Sequence, residues 1–480
     1  MIVENVQKEL HIAPMLDVST VEFLNFFRIL TKRAVLWTEM VVDETVMHTK
    51  ELNRHLPYAP DLNPIIVQIG GINHIDSGKA TKLIVESYGY DQVNLNIDCP
   101  SNRVCGKQFG AILMHQSENA CQIVSAMRRN ARNVPISVKT RVGIELESGE
   151  NFDTLDHLVE FISKLRKEGC YKYVIHARKC ILGGLSPAQN RLIPPLNYDR
   201  VYKLCKSFPD CDFVINGGIP GLKKAKRLCY GHRPMEESFC STSYSDSNRK
   251  SHSVPCELCG ASNGSCVVEP LDDIPNLRGC MIGRAAMENP CMFWDVDRYF
   301  YGEETNPCQN RRELLDSYCK YLEFTYPRQC CFNNSYRTGG CNVCKDIYGN
   351  GESGQSIRSC DVNNTTLIPS GIVDRSLKPV LGVFFNRPMS KSFRRECDKL
   401  SRDLRIRNCG PGYILRKAFS IMPNEILDEP FVFTEDILDS DVPIHIGPQT
   451  RRNDVQIKCN RQHRAVSQKA GASKCCLIGT

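Results

Sequence analysis

The feature that most constrains this fold is a series of short β-rich runs, each followed by a longer segment with apolar residues at helical spacing. The runs are Ile12–Met15, Val35–Met40, Ile65–Gly70, Val93–Asn96, Ile136–Arg141, Tyr173–Arg178, Phe213–Gly218 and Gly279–Arg284. Strands alternating with helices pair in parallel, because each crossover helix returns the chain to the same edge of the sheet. Eight such units close into a (β/α)8 TIM barrel. The connecting segments agree: in His157–Lys167, Leu158, Phe161, Ile162 and Leu165 form one apolar helix face. The fold class read from this pattern is α/β, with a barrel over residues 1–305. A small C-terminal helical domain follows over 306–427, and an irregular tail over 428–480.

A barrel of this type builds its sites on the loops at the C-terminal ends of the strands. Here those ends carry Met15, Glu39, Gln68, Asn96 with Cys99, Lys139 with Arg141, His176 with Arg178, Asn216-Gly217-Gly218, and Gly283-Arg284. A barrel serving only as a scaffold has no need of polar groups at nearly every exit, so the set as a whole points to chemistry. Glycines after the seventh and eighth strands let backbone N–H groups approach an anion closely, which makes a phosphorylated cofactor the leading ligand. The stretch "NLNIDCPSNRV", Asn94 to Val104, places a thiol on the loop leaving the fourth strand.

Composition narrows the class. The chain has 480 residues, 41% hydrophobic and 24% charged, enough for one large domain and a smaller one. Its 26 cysteines are scattered through a large α/β-like sequence with no signal peptide ahead of them, so they read as reduced, intracellular thiols and not as a disulfide scaffold. Apolar runs fall short of the roughly 20 residues that span a bilayer, and no presequence is visible. The expected location is cytoplasmic, with an organellar one left open, and the expected state is a monomer off the membrane. A net charge of +7 permits a polyanionic partner without requiring one.

The motifs "APMLDVS", "QIGG", "NLNIDCPSNRV", "VKTRVGI", "IHARK" with "GLSPAQNR" and "PPL", "INGGI" and "MIGRAAMENP" occur in an order that resembles the tRNA-dihydrouridine synthase family. The likeness is closest to the branch acting on D-loop uridines 20 and 20a, and covers roughly residues 10–300 apart from one insertion. It implies FMN as cofactor, NADPH as reductant and tRNA as substrate. It also implies hydride transfer from the reduced flavin to C6 of a uracil, with Cys99 giving the proton to C5. By the same resemblance Pro14 and Met15 shape the pocket beside the flavin ring, and Gln68, Lys139 and His176 contact the flavin. Asn216, Gly217, Gly218, Gly283 and Arg284 hold the FMN phosphate. Asn96, Arg178 and Arg191 match substrate positions, while Lys391 and Arg394 match a pair that orients tRNA on the helical domain.

The C-terminal segments Arg311–Phe324 and Arg375–Ile406 read as amphipathic helices, the second carrying Lys378, Arg387, Lys391, Arg394 and Arg395. Asp98 stands where the family usually has glycine, and a carboxylate beside the thiol favours its protonated form. Two polar inserts, about 230–275 and about 328–374, contain CxxC pairs (Cys256/Cys259 and Cys341/Cys344), and each lacks the second such pair that marks a zinc site. They read as disordered loops, and no metal is expected. The competing readings are a small-molecule FMN oxidoreductase of the dihydroorotate dehydrogenase type, which has no use for a basic helical appendage, and a non-catalytic tRNA-binding protein.

Overall fold

The computed structural model describes residues 7–57, 59–100, 109–230, 274–327, 368–407 and 409–431. Eight parallel strands alternate with helices: β1 (Glu9–Ile12), β2 (Leu36–Val42), β3 (Ile65–Gly70), β4 (Val93–Ile97), β5 (Ile136–Arg141), β6 (Lys172–His176), β7 (Asp212–Asn216) and β8 (Leu277–Ile282). They hydrogen-bond in the order β1-β8-β7-β6-β5-β4-β3-β2. The ring is closed where Ile12 N donates to Val35 O and Val35 N to Leu10 O, both at 2.9 Å. The expected (β/α)8 barrel is therefore present.

The helices against the outer face are α1 (Val21–Leu30), α2 (His74–Tyr88), α3 (Ser117–Asn130), α4 (Leu155–Lys167), α5 (Tyr198–Ser207) and α6 (Leu222–Tyr230). Their ends are written locally. Thr154 caps α4 by accepting from His157 N, and Lys164, Arg166 and Lys167 sit in its last turn, where cations complement the helix dipole. Asn73 caps α2, which stops at Gly89 in the left-handed region (φ 64°). Leu158, Phe161, Ile162 and Leu165 are the buried face of α4, as their spacing predicts.

The strand boundaries differ from the sequence reading at the mouth. β1 ends at Ile12, not Met15: Ala13 N still reaches Ile282 O at 2.8 Å, but Pro14 has no N–H to continue the ladder. β6 and β7 stop at His176 and Asn216, and β7 can go no further because Gly217 (φ 108°) and Gly218 (φ 62°) turn the chain. β8 runs from Leu277, two positions before the expected start, and ends at Ile282. Met15, Cys99, Arg178, Gly217, Gly218, Gly283 and Arg284 thus lie just past the strands, while Glu39, Gln68, Asn96, Lys139, Arg141, His176 and Asn216 are within them. A small sheet pairing Ile144–Glu145 with Asn151–Phe152 and with Cys180–Ile181 ties the loops after β5 and β6 together.

The C-terminal helices are α7 (Arg311–Thr325), α8 (Ser370–Leu377), α9 (Ser390–Arg402) and α10 (Pro411–Phe419). The basic segment from Arg375 to Ile406 is not continuously helical. Pro379 follows the end of α8, the chain passes through a 3-10 turn (Lys378–Gly382), and Pro388 precedes the start of α9, with Asn386 and Met389 at positive φ. α7 and α8 pack on α1. Phe26 and Tyr318 meet edge to face at 5.1 Å, while the buried Glu22 carboxylate accepts from Tyr326 Oη at 2.8 Å and Arg375 Nε at 3.3 Å. The described residues all fall in one compact unit.

Nearly all of both expected inserts, with their cysteine pairs, and the tail beyond Phe431 lie outside the described residues; α8 begins inside the range expected for the second insert. Among the described residues no helix is long and apolar enough to cross a membrane.

Candidate active site

The barrel lining has an apolar part and a polar part. Ala13, Val35, Trp37, Ile66, Val174, Val214 and Met281 pack as one buried apolar cluster, and Trp37 Nε1 donates to His11 Nδ1 at 3.1 Å. Amide, hydroxyl, cation and imidazole groups make up the polar part: Gln68, Asn94, Asn96, Ser137, Lys139, His176 and Asn216 are all buried. Buried polar side chains need partners, and here they supply one another. Gln68 Nε2 donates to Asn94 Oδ1 (2.8 Å), Asn94 Nδ2 to Ser137 Oγ (2.9 Å), and Asn96 Nδ2 to Gln68 Oε1 (2.9 Å). Asn96 Oδ1 in turn accepts from the backbone N–H of Cys99 at 3.1 Å. A continuous amide chain therefore runs from β5 through β3 to the loop that carries the thiol. Asn96, expected at the substrate, acts here as an anchor for that loop.

Because the strands are parallel and in register, the exits of β4, β5, β6, β7 and β8 open on one mouth. Asn96 lies opposite Lys139, Arg141 opposite His176, and His176 opposite Asn216. Cys99, Gly217 and Gly283 follow the C-terminal ends of β4, β7 and β8, so all three stand on that mouth. Cys99 is half-buried and packs against the core. Other thiols differ: Cys170 and Cys205 are fully buried, and burial pushes both up to about 12.

The loop residue before the thiol is held by two cations. Lys139 Nζ donates to Asp98 Oδ2, and Arg141 Nε lies 2.9 Å from Asp98 Oδ1 and donates to the Asp98 carbonyl at 3.0 Å. Burial pushes the Asp98 carboxyl up, but Lys139 and Arg141 outweigh it and hold the group well below the usual carboxylate range. The negative charge beside Cys99 is thus compensated within the rim, and not set against the thiol alone. Arg141, 2% exposed, also donates to the carbonyls of Lys179 (3.2 Å) and Asn190 (3.1 Å). It braces the loops after β4 and β6 together. Its place at a strand exit was legible in the sequence, but its bracing role was not, because every partner lies about forty residues or more away.

His176 is pushed well below its ordinary value, by burial first and then by Arg141 and Lys139, so it is neutral. Its Nδ1 accepts from Arg178 N at 3.3 Å, which leaves Nε2 as the protonated donor. That edge faces Gly217: a Cβ there would stand 3.2 Å from Nε2, and one at Gly218 would collide with Leu196 at 2.4 Å. Both glycines have positive φ, so the turn needs them for conformation as well as for space. Gly283, at φ −108° with only Ala13 within reach of a Cβ at 3.7 Å, is not sterically forced. Asn216 Nδ2 donates to Met281 O at 2.8 Å, tying β7 to β8 beneath the turn.

Arg178, Arg191 and Arg284 converge beside these glycines. Arg284 Nη2 reaches the Arg191 carbonyl at 3.4 Å, and Arg178 Nη1 donates to the Pro194 carbonyl. Burial lowers the Arg178 and Arg191 guanidinium values, and mutual repulsion with Arg284 and Arg141 lowers them further. The buried Nε atoms of Arg178 and Arg191 have no hydrogen-bond partner. Crowded guanidiniums with unpaired buried donors next to a positive-φ glycine turn are the donor set of an anion site, so the mouth fits a phosphorylated ligand. Pro14 and Met15 flank it from the β1 exit, where Met15 N donates to Ser19 Oγ at 3.1 Å. Lys391 and Arg394 are not brought to the mouth. Both are exposed on α9, which buries Phe393, Cys397 and Leu400 against the other C-terminal helices. Among the described residues no group of three or more His, Cys, Asp or Glu side chains is placed to hold a metal ion.

Comparison with known proteins agrees with this geometry. A family profile described as dihydrouridine synthase (Dus) matches residues 11–232. The tRNA-dihydrouridine(20/20a) synthase of Shewanella oneidensis is 33% identical over 320 residues, 67% of this chain and 79% of that protein. The protein of the same name from Pasteurella multocida is 33% identical over 336 residues, 70% of this chain and 86% of its own. A third, from Synechocystis, is 33% identical over 314 residues, 65% and 78% of the two chains. A relative above 30% identity, aligned over most of its own length, together with the profile match over β1 to β7, leads to one conclusion: the chain belongs to the dihydrouridine synthase family.

Proposed function

We propose that this protein reduces uridine 20 or 20a in the D-loop of tRNA to 5,6-dihydrouridine, with FMN as cofactor and NADPH as reductant. The observation that carries the reading is the convergence of Cys99, Lys139, His176, the Gly217-Gly218 turn and Arg284 on one barrel mouth. The names of the matched relatives support the tRNA substrate, and leave the dihydroorotate-type and non-catalytic readings without a counterpart among them.

FMN, when bound, would supply the hydride for C6 of the uracil, with NADPH as its source of electrons. The protein's own residues do the rest. Backbone N–H groups of Gly217, Gly218 and Gly283 and the Arg284 guanidinium hold the cofactor phosphate, with Asn216 fixing the turn from below through Met281. Lys139 and the His176 Nε2–H would meet the ring edge, with Gln68 held behind them by Asn94 and Asn96, and Pro14 and Met15 would close the pocket beside it. Arg178 and Arg191 would add their guanidiniums to the same anion site beside Arg284, and Lys391 and Arg394 would neutralise tRNA phosphates away from the chemistry. Cys99, held by Asn96 through its own N–H, gives its S–H proton to C5 as the C5–C6 double bond is consumed; the thiolate left behind regains a proton from solvent.

The test is direct. Purified protein should carry a flavin spectrum and, with NADPH and unmodified tRNA, produce dihydrouridine. Cys99→Ala should keep the flavin and lose about 100-fold or more in turnover, the scale of a lost general acid. Full activity of that variant would remove the thiol from the mechanism, and a colourless wild-type protein that takes up no flavin would overturn the reading itself.

A further inference from the structure

Asp98 is a carboxylate set among the mouth cations. Lys139 and Arg141 beside it are 4% and 2% exposed, and Arg178, Arg191 and Arg284 add further positive charge around the anion site. Withdrawing a carboxylate from water is costly unless it is paired, and pairing it with two cations spends part of their field on the protein itself. Lys139 is opposite Asn96 in the β4–β5 ladder, and Asp98 lies two residues beyond Asn96. The ammonium is consequently pinned by a protein anion at the place where, on the function proposed above, the flavin ring sits.

We propose that Asp98 is a positioning residue that sets the reduction potential of the bound flavin: it fixes the Lys139 ammonium and offsets its charge. The inference rests on the flavin reading. An oxidised isoalloxazine is neutral and its two-electron-reduced form is anionic, so each unit of positive field at the ring stabilises the reduced form preferentially. Asp98 subtracts from that field and holds the potential down, which favours passage of hydride onward to the uracil.

The experiment is a spectroelectrochemical titration of the holoprotein. D98N should retain flavin and shift its potential upward, by a factor of about ten or more in the two-electron equilibrium, or about 30 mV. D98E, which keeps the charge, should stay near the wild type. If D98N does not accumulate folded, the same comparison is made between K139M and the double variant D98N/K139M, which removes one charge of each sign; the double variant should lie above K139M by a similar factor. Flavin bound in every variant with potentials unmoved by D98N, in either background, overturns the role of Asp98 alone. Absence of flavin from the wild type overturns it together with the reading beneath it.

Discussion

Two groups at the mouth, His176 and Asp98, have values displaced downward on folding, and both make the protein sensitive to acid. The folded state resists protonating His176, whose ordinary value is 6.5, so the unfolded chain gains a proton there first and stability begins to fall as pH drops through that value. Asp98 is held below its ordinary 3.8; its ion pairs contribute fully above that value and are lost as pH falls toward the lower folded value. Denaturant unfolding followed from pH 8 to pH 2 should therefore show two successive declines, the second beginning below 3.8. His176→Gln should flatten the first and D98N the second, and a wild-type curve level between pH 7 and pH 5 would count against the buried neutral imidazole. At this scale the sequence named the residues through their place at strand ends, but not their partners. Gln68 looked like a flavin contact, yet both ends of its amide are used by Asn94 and Asn96. The clue was present in "VNLNI", where two asparagines alternate in an otherwise apolar strand and so face the same side.

Among the elements, the informative contact is the one between α1 of the barrel and the C-terminal helices. Glu22 is 3% exposed and joins Arg375 and Tyr326 across sequence separations of more than three hundred residues. Removing one member of a buried charge pair leaves the other without compensation, and Arg375 is partly open to water, which softens the cost. Glu22→Ala should destabilise the protein by about 2 kcal/mol in chemical unfolding while leaving flavin content unchanged, because the rim loops are not involved. A variant as stable as the wild type would mean that apolar packing such as that of Phe26 on Tyr318 holds the helices unaided. Helices α4 and α7 were legible from their periodicity and caps. The break before α9 was signalled by Pro379 and Pro388, and an amphipathic reading that ran through both prolines missed it.

For the whole molecule, a net charge of +7 is mild, and what matters is where the cations stand. One set lines the barrel mouth and another lies exposed on α9, a division suited to holding a flipped base in the barrel while the backbone is gripped elsewhere. Lys391→Ala and Arg394→Ala should each weaken tRNA binding regardless of sequence, and lower the slope of log affinity against log salt by about one. Filter binding at several salt concentrations measures this, and slopes equal to the wild type would remove α9 from the tRNA interface.

Local pattern along the chain is enough to specify the barrel, its chain order and which residues stand at its C-terminal rim. Those follow from local periodicity and from the rule that parallel strands share one exit face. Tertiary structure decided the pairings: Asp98 with Lys139 and Arg141, Arg191 beside Arg284, Asn216 beneath the glycine turn, and Glu22 with Arg375. Such pairings depend on strand register, ring closure and helix docking, which bring together side chains from about forty to more than three hundred residues apart, and no local pattern in a single chain encodes them.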